Sequence, residues 1–160
     1  MIDDRRVRRE ILDAGMRGLF TVPQLVDGQV TTAPEAPGLY AVWRIAETLP
    51  RFARTSTAGR HQGRDPTLSQ EDLLARWVPD AALLYVAKTA NIRTRIRLLM
   101  DFAVGKPVAH WDGRALWQLS DADDLLVAWR TVDPPNPALA DLLARFEATH
   151  NRPRPFANEK

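Results

Sequence analysis

The stretch between residues 82 and 105 constrains the fold of this chain more than any other part of its sequence. Residues 82–87 are continuously apolar, which is typical of a strand buried at the centre of a sheet. Asn91 has a side chain that commonly caps a helix, and Gly105 is a residue that commonly ends one. The sequence therefore predicts a central strand, a short turn and then a helix.

Two other segments have the pattern of strands. Residues 38–44 alternate between two faces, and residues 124–132 form a better strand than residues 115–119. We therefore expect three strands, at 38–44, 82–88 and 124–132. Residues 45–80 are a long insertion between the first two of them.

Helical patterns flank these strands. An amphipathic helix is predicted over residues 3–17, with Asp3 as its cap. Ser69 is placed to cap a short helix, and Asn136 is placed to open the last one. Together the elements predict a single domain over residues 1–160 of α/β (α+β) class, in which helices flank a small sheet.

The composition is typical of a soluble globular chain, with 45% apolar and 26% charged residues. No apolar run is long enough to span a membrane, and the first residues lack the apolar core of a signal peptide. The absence of cysteine excludes disulfides, thiolate nucleophiles and cysteine metal sites. We expect a cytoplasmic protein with no membrane partner.

Arginine supplies most of the positive charge. The chain has 19 Arg and 3 Lys, although its formal net charge is only +2. The guanidinium fork pairs bidentately with phosphate, but a GC-rich genome explains the excess of arginine at least as well. Arg60 and Arg64 lie among glycines in the 45–80 insertion, a pattern that suits phosphate contacts and equally suits a loop without function.

The two tyrosines of the chain lie in the first two predicted strands, each close to small residues. An arginine follows the second tyrosine by ten residues, a glutamate lies in the last helix, and an asparagine follows a proline near the C-terminus. This order and spacing resembles the GIY-YIG nuclease family. The residues that carry the resemblance are Gly38-Leu39-Tyr40, Tyr85-Val86-Ala87, Arg95, Glu147 and Asn158.

The resemblance implies a mainly antiparallel three-stranded sheet and a metal-dependent DNA endonuclease that hydrolyses phosphodiester bonds. It implies that Glu147 binds a divalent ion, Mg²⁺ or Mn²⁺, and that Arg95 stabilises the charge on the phosphate. Tyr40 is then the general base or its relay, with nearby positive charge lowering the pKa of its phenol. Tyr85 holds the attacking water or a phosphate oxygen.

Further residues are expected to contact nucleic acid beside these four. They are Lys88, Asn158, Arg60, Arg64 and Arg114. Because the sequence contains no obvious additional DNA-binding domain, specificity would come from the 45–80 insertion, the first helix, a second copy of the chain or a partner protein.

Two positions depart from the family pattern. Ala87 stands where the family has glycine, and Leu99 stands where it has histidine or tyrosine, four residues after the arginine. His110 is the nearest residue that could supply the missing proton-transfer group. The two departures favour an alternative function, a nuclease-like module that binds nucleic acid and cuts it weakly or not at all. The third hypothesis is a plain interaction domain with no role in binding nucleic acid.

Overall fold

The computed structural model describes residues 4–159, which form one antiparallel sheet with helices on both faces. The strands are β1 (Arg17–Thr21), β2 (Gly38–Trp43), β3 (Leu83–Thr89) and β4 (Leu126–Thr131). The helices are α1 (Asp4–Asp13), α2 (Val22–Val26), α3 (Gln70–Arg76), α4 (Ile92–Ala103) and α5 (Asn136–His150). Asp3, the predicted cap of the first helix, lies outside the described residues.

The sheet has four strands in the order β1-β4-β2-β3, which is one strand more than the three predicted. The missed strand, β1, begins at the last residue of the predicted 3–17 helix, which in the structure ends at Asp13. Gly18 and Leu19 both have positive φ, at 102° and 58°, and the pairing with β4 is irregular between Gly18 and Phe20. This bulge removes the two-residue alternation by which a strand is recognised.

β3 is an edge strand, so its predicted central position is wrong. Its free edge is covered by the C-terminal segment, because the N–H of Ala157 donates to the carbonyl of Leu84 at 2.8 Å. The side chain of Asn158 accepts from the N–H of Val86 at 3.0 Å and donates to its carbonyl at 2.8 Å. The strand is therefore continuously apolar because both its faces and its edge are enclosed.

The two faces of the sheet carry separate hydrophobic cores. Leu39, Ala41 and Trp43 of β2 pack with apolar side chains of α1 and α5. Tyr40 and Val42 point to the other face and pack with α2 and α4. Strand alternation therefore decides that the signature tyrosine of β2 faces α4 and not α5.

Gly38, the glycine of the first signature, lies where two backbones meet closely. A Cβ at this position would lie 2.0 Å from the carbonyl oxygen of Arg130 in β4 and 2.7 Å from Ile92 in α4. The glycine is therefore explained by the packing of β2 between its neighbours. The predicted cap of α4 is confirmed, because the side chain of Asn91 accepts a hydrogen bond from the N–H of Thr94 at 3.0 Å.

The 45–80 insertion contains α3, whose predicted cap Ser69 is confirmed by a 3.1 Å bond from the N–H of Asp72. Arg44 anchors the start of the insertion, because its buried guanidinium donates to Asp121 at 2.9 Å and to the carbonyl of Thr48 at 2.8 Å. None of the helices within residues 4–159 combines the length and the apolar character that a membrane span requires.

Candidate functional site

The two tyrosines meet on the α4 face of the sheet. Tyr40 pairs with Ala87 across β2 and β3, and Tyr85 pairs with Val42, so the two phenol rings are diagonal neighbours on one face. Their ring centroids are 5.9 Å apart. Both residues are enclosed, with 0% and 1% of their surfaces exposed. Their hydroxyls therefore have to find partners inside the protein.

His110 supplies the partner of Tyr40. It lies in the segment 107–114, which packs over the tyrosine pair, and its Nε2 is 2.8 Å from the Tyr40 hydroxyl. Its Nδ1 is 2.8 Å from the carbonyl oxygen of Asp112, which can only accept, so Nδ1 carries the proton in the neutral ring. Nε2 is then an acceptor, and the Tyr40 hydroxyl donates to it.

Asp112 supplies the partner of Tyr85. The Tyr85 hydroxyl donates to Oδ2 of Asp112 at 3.3 Å, and the backbone N–H of Glu159 donates to Oδ1 at 2.9 Å. One carboxylate thus connects β3, the 107–114 segment and the C-terminal segment. Gly113 makes this contact possible, since it has a φ of 94° and a Cβ there would lie 3.3 Å from the Tyr85 ring.

Arg95, half-buried in α4, brings positive charge to this cluster. Burial raises the pKa of the Tyr40 phenol, and the charge of Arg95 opposes that effect without reversing it. Burial also raises the pKa of Tyr85, with the neighbouring Tyr40 and Asp112 adding to the rise. Positive charge from Arg95 acts in the predicted direction, but the predicted net lowering of the Tyr40 pKa is wrong, because desolvation outweighs that charge.

Burial and then the charge of Arg95 lower the pKa of His110 to about 4. At neutral pH the site therefore contains two protonated phenols and a neutral imidazole. The group that can accept a proton is His110, not Tyr40. Leu99, the second departure from the family pattern, is fully buried in the core, and His110 reaches Tyr40 from a different element of the fold.

Glu147 does not join this cluster. It is exposed on α5, and the neighbouring Phe146 is buried in the core on the α1 side of the sheet. Tyr40 and Tyr85 belong to the core on the other side. The predicted metal ligand and the predicted tyrosines therefore lie on opposite faces of the sheet.

The carboxylates close to the tyrosines are already engaged. Both oxygens of Asp112 accept hydrogen bonds, and Glu159 forms ion pairs with Arg76 and Arg114. Within residues 4–159 there is no group of three or more His, Asp or Glu side chains that could hold a metal ion. The residues at the tyrosine cluster thus do not fit a preformed divalent-metal site.

The predicted nucleic-acid contacts are dispersed. Asn158 is buried and bonded to β3, which assigns its side chain to the fold. Lys88 is exposed and donates to Asn136 at 3.0 Å, and Arg60 is exposed and pairs with Asp65 at 3.4 Å.

Arg64 and Arg114 come together on one indole. Their guanidinium carbons lie 4.2 Å and 4.7 Å from the ring centroid of Trp111.

Further arginines, which were not predicted as site residues, lie near Arg114. It pairs with Glu159, which also pairs with Arg76 at 3.4 Å. Arg76, Arg152 and Arg154 line a cleft of about 290 Å³ beside the C-terminal segment. We call these five residues the arginine strip: Arg64, Arg76, Arg114, Arg152 and Arg154. The Arg-Pro-Arg-Pro run at 152–155, directly before the buried Phe156, was the sequence signal for its last two members.

Comparison with known proteins leaves the resemblance as a hypothesis, since no protein-family model, no curated protein and no solved structure matches the chain.

Proposed function

We propose that this chain is a nuclease-like module that binds DNA through its backbone phosphates and cuts it weakly or not at all. The observation that carries the proposal is the arginine strip. Arg152 and Arg154 donate to backbone carbonyls, of Ala75 at 3.4 Å and Glu159 at 2.6 Å, and neither forms an ion pair with a carboxylate among residues 4–159. Guanidinium groups pair bidentately with phosphates, and a cluster of them binds the DNA backbone without reading its sequence.

The indole of Trp111 strengthens this argument. It lies within the strip, half-buried, against Arg64 and Arg114. Cation–π contact with the indole holds the two guanidinium groups in place, so less conformational entropy is lost when they bind phosphates. Glu159 partly neutralises two of the arginines, so the strip favours a moderate, salt-sensitive affinity.

Weak cutting follows from the state of the tyrosine cluster. The phenols are enclosed beneath the 107–114 segment, and Glu147 is on the other face of the sheet. A phosphate in the strip would reach the phenols only after that segment moved. The neighbouring carboxylates would also have to give up their present bonds before they could bind a divalent ion.

A metal-dependent endonuclease is the second candidate, and the Tyr40–His110 bond is the observation that favours it. His110 can accept the Tyr40 proton at Nε2, which would let the Tyr40 oxygen take a proton from an attacking water. Arg95, whose charge acts on both groups, would stabilise the charge that develops on the phosphate.

Binding is tested by fluorescence anisotropy on a labelled duplex at several salt concentrations. Contacts with three to five phosphates predict a slope of log K against log salt of about −3 to −4.5. The double variant Arg152→Ala/Arg154→Ala should weaken binding and reduce the slope by about 2. The matched control Arg5→Ala/Arg17→Ala removes two exposed arginines elsewhere and should leave the slope nearly unchanged.

Cleavage is tested on a supercoiled plasmid with Mg²⁺ or Mn²⁺. The proposal expects retention of the plasmid without nicking. Metal-dependent nicking that disappears in both Tyr40→Phe and His110→Gln would instead support the endonuclease. If Arg152→Ala/Arg154→Ala and Arg5→Ala/Arg17→Ala lose affinity for DNA equally, binding depends on net charge alone. That result would overturn the role of the arginine strip.

A further inference from the structure

One part of the arginine strip is concave, which binding along a DNA backbone does not require. Arg76, Arg152 and Arg154 come from two separate segments, the end of α3 and the residues after α5, and line one cleft of about 290 Å³. We call it the arginine cleft. Successive backbone phosphates are met by cations spread along a surface, whereas three cations in one cleft suit a single, highly charged group. The volume lies below the range typical of drug-sized ligands, so this group is small.

The backbone around the arginine cleft is held by packing and by proline. Phe156 is buried and its ring centroid lies 5.2 Å from that of Trp77, which joins the C-terminal segment to the end of α3. Pro153 and Pro155 alternate with the two C-terminal arginines, and each proline fixes its own backbone φ. The segments that carry the three guanidinium groups therefore lose little conformational entropy when a ligand binds.

The charge of the arginine cleft matches a dianion. Among the described residues that line it, three arginines face one acidic side chain, Glu159, which leaves a net charge of +2. Arg152 and Arg154 each donate to one backbone carbonyl and keep further N–H groups for a ligand. A phosphomonoester carries a charge of about −1.5 to −2 near neutral pH, whereas each phosphate within a strand carries a single charge. The phosphate at the end of a strand therefore matches the cleft better than one within it.

We propose that the arginine cleft binds the terminal phosphate of a DNA strand. This role rests on the proposed function, because the rest of the arginine strip has to hold the strand to which that phosphate belongs. Glu159 connects the two parts, since it pairs with Arg76 in the cleft and with Arg114 outside it. Arg114 shares the indole of Trp111 with Arg64, so these two arginines contact phosphates further along the same strand.

The preference for an end is tested by fluorescence anisotropy on one short, internally labelled duplex. The duplex is prepared in three forms, with hydroxyl groups at all ends, with 5′-phosphates or with 3′-phosphates. We expect at least one phosphorylated form to bind about fivefold more tightly than the hydroxyl form, because its additional negative charge lies beside guanidinium groups. The form that gains affinity identifies which end of the strand the cleft accepts.

Variants inside and outside the arginine cleft separate this preference from general affinity for DNA. Arg152→Gln/Arg154→Gln should remove the difference between the phosphorylated and hydroxyl duplexes. The control Arg64→Gln lies in the strip but does not line the cleft, so it should weaken binding of every duplex and preserve the difference.

The proposal is overturned if all three duplexes bind equally, or if Arg64→Gln removes the preference as completely as the double variant. Salt-sensitive binding of all three duplexes without a preference would leave the proposed function standing. Absence of binding to any duplex would overturn both.

Discussion

Replacing Asn158 separates its structural role from the role in DNA binding that the family resemblance implies. The side chain satisfies both backbone groups of Val86 at 3.0 Å and 2.8 Å and is 8% exposed. Asn158→Leu keeps the size but leaves a buried N–H and a buried carbonyl without partners. At about 1–2 kcal/mol for each orphaned group, the free energy of unfolding should fall by about 2–4 kcal/mol.

Urea unfolding measures this loss. For a chain of this size, a dependence of about 2 kcal/mol per molar urea converts it to a midpoint about 1–2 M lower. Asn136, which the sequence predicts as the cap of the last helix, makes no capping bond, because Pro135 is the N-cap of α5. The control Asn136→Leu therefore changes an exposed asparagine and should shift the midpoint by less than about 0.3 M. A similarly small shift for Asn158→Leu would refute the reasoning. So would a variant of normal stability that has lost affinity for duplex DNA, because Asn158 would then act on nucleic acid directly.

Two further variants test the buried cluster and the first signature. Between its unperturbed pKa of 6.5 and its folded pKa of about 4, His110 binds more protons in the unfolded chain, so stability falls as the pH falls through this window. The free energy of unfolding falls by up to about 3 kcal/mol over this window, and the fall should be absent in His110→Gln. Urea midpoints measured at neutral and at acid pH test this. If the midpoint falls by the same amount in the wild type and in His110→Gln, the reasoning is wrong. Gly38→Ala should cost about 2–4 kcal/mol, because its Cβ would meet the carbonyl of Arg130 at 2.0 Å; a calorimetric melting temperature equal to wild type would exclude that contact.

Local signals in the sequence were sufficient where one short segment determines the outcome. The apolar run that becomes β3 and the cap at Asn91 that starts α4 depend on neighbouring residues alone, and both were predicted. β1 was missed because Gly18 and the bulge at Leu19 interrupt its alternation. The edge position of β3 was missed because its cover comes from Ala157 and Asn158, more than 70 residues away in the chain.

The same distinction explains why the candidate site was only partly predictable. Once β2 and β3 are paired strands, alternation places Tyr40 and Tyr85 on one face, so their meeting requires no further information. The position of Glu147 depends on which face of the sheet α5 crosses, and helical periodicity specifies a buried stripe without specifying the layer that buries it.

The chain turns after β4 so that Phe146 packs on the α1 side, which carries Glu147 away from the tyrosines. The tyrosines and His110, to which a role in proton transfer is only proposed, and the predicted metal ligand Glu147 are thereby on different faces. Binding of phosphate by the arginine strip requires neither of them, because guanidinium charge acts without an ion or a general base. The proposed association with DNA therefore does not depend on the geometry that cutting would require.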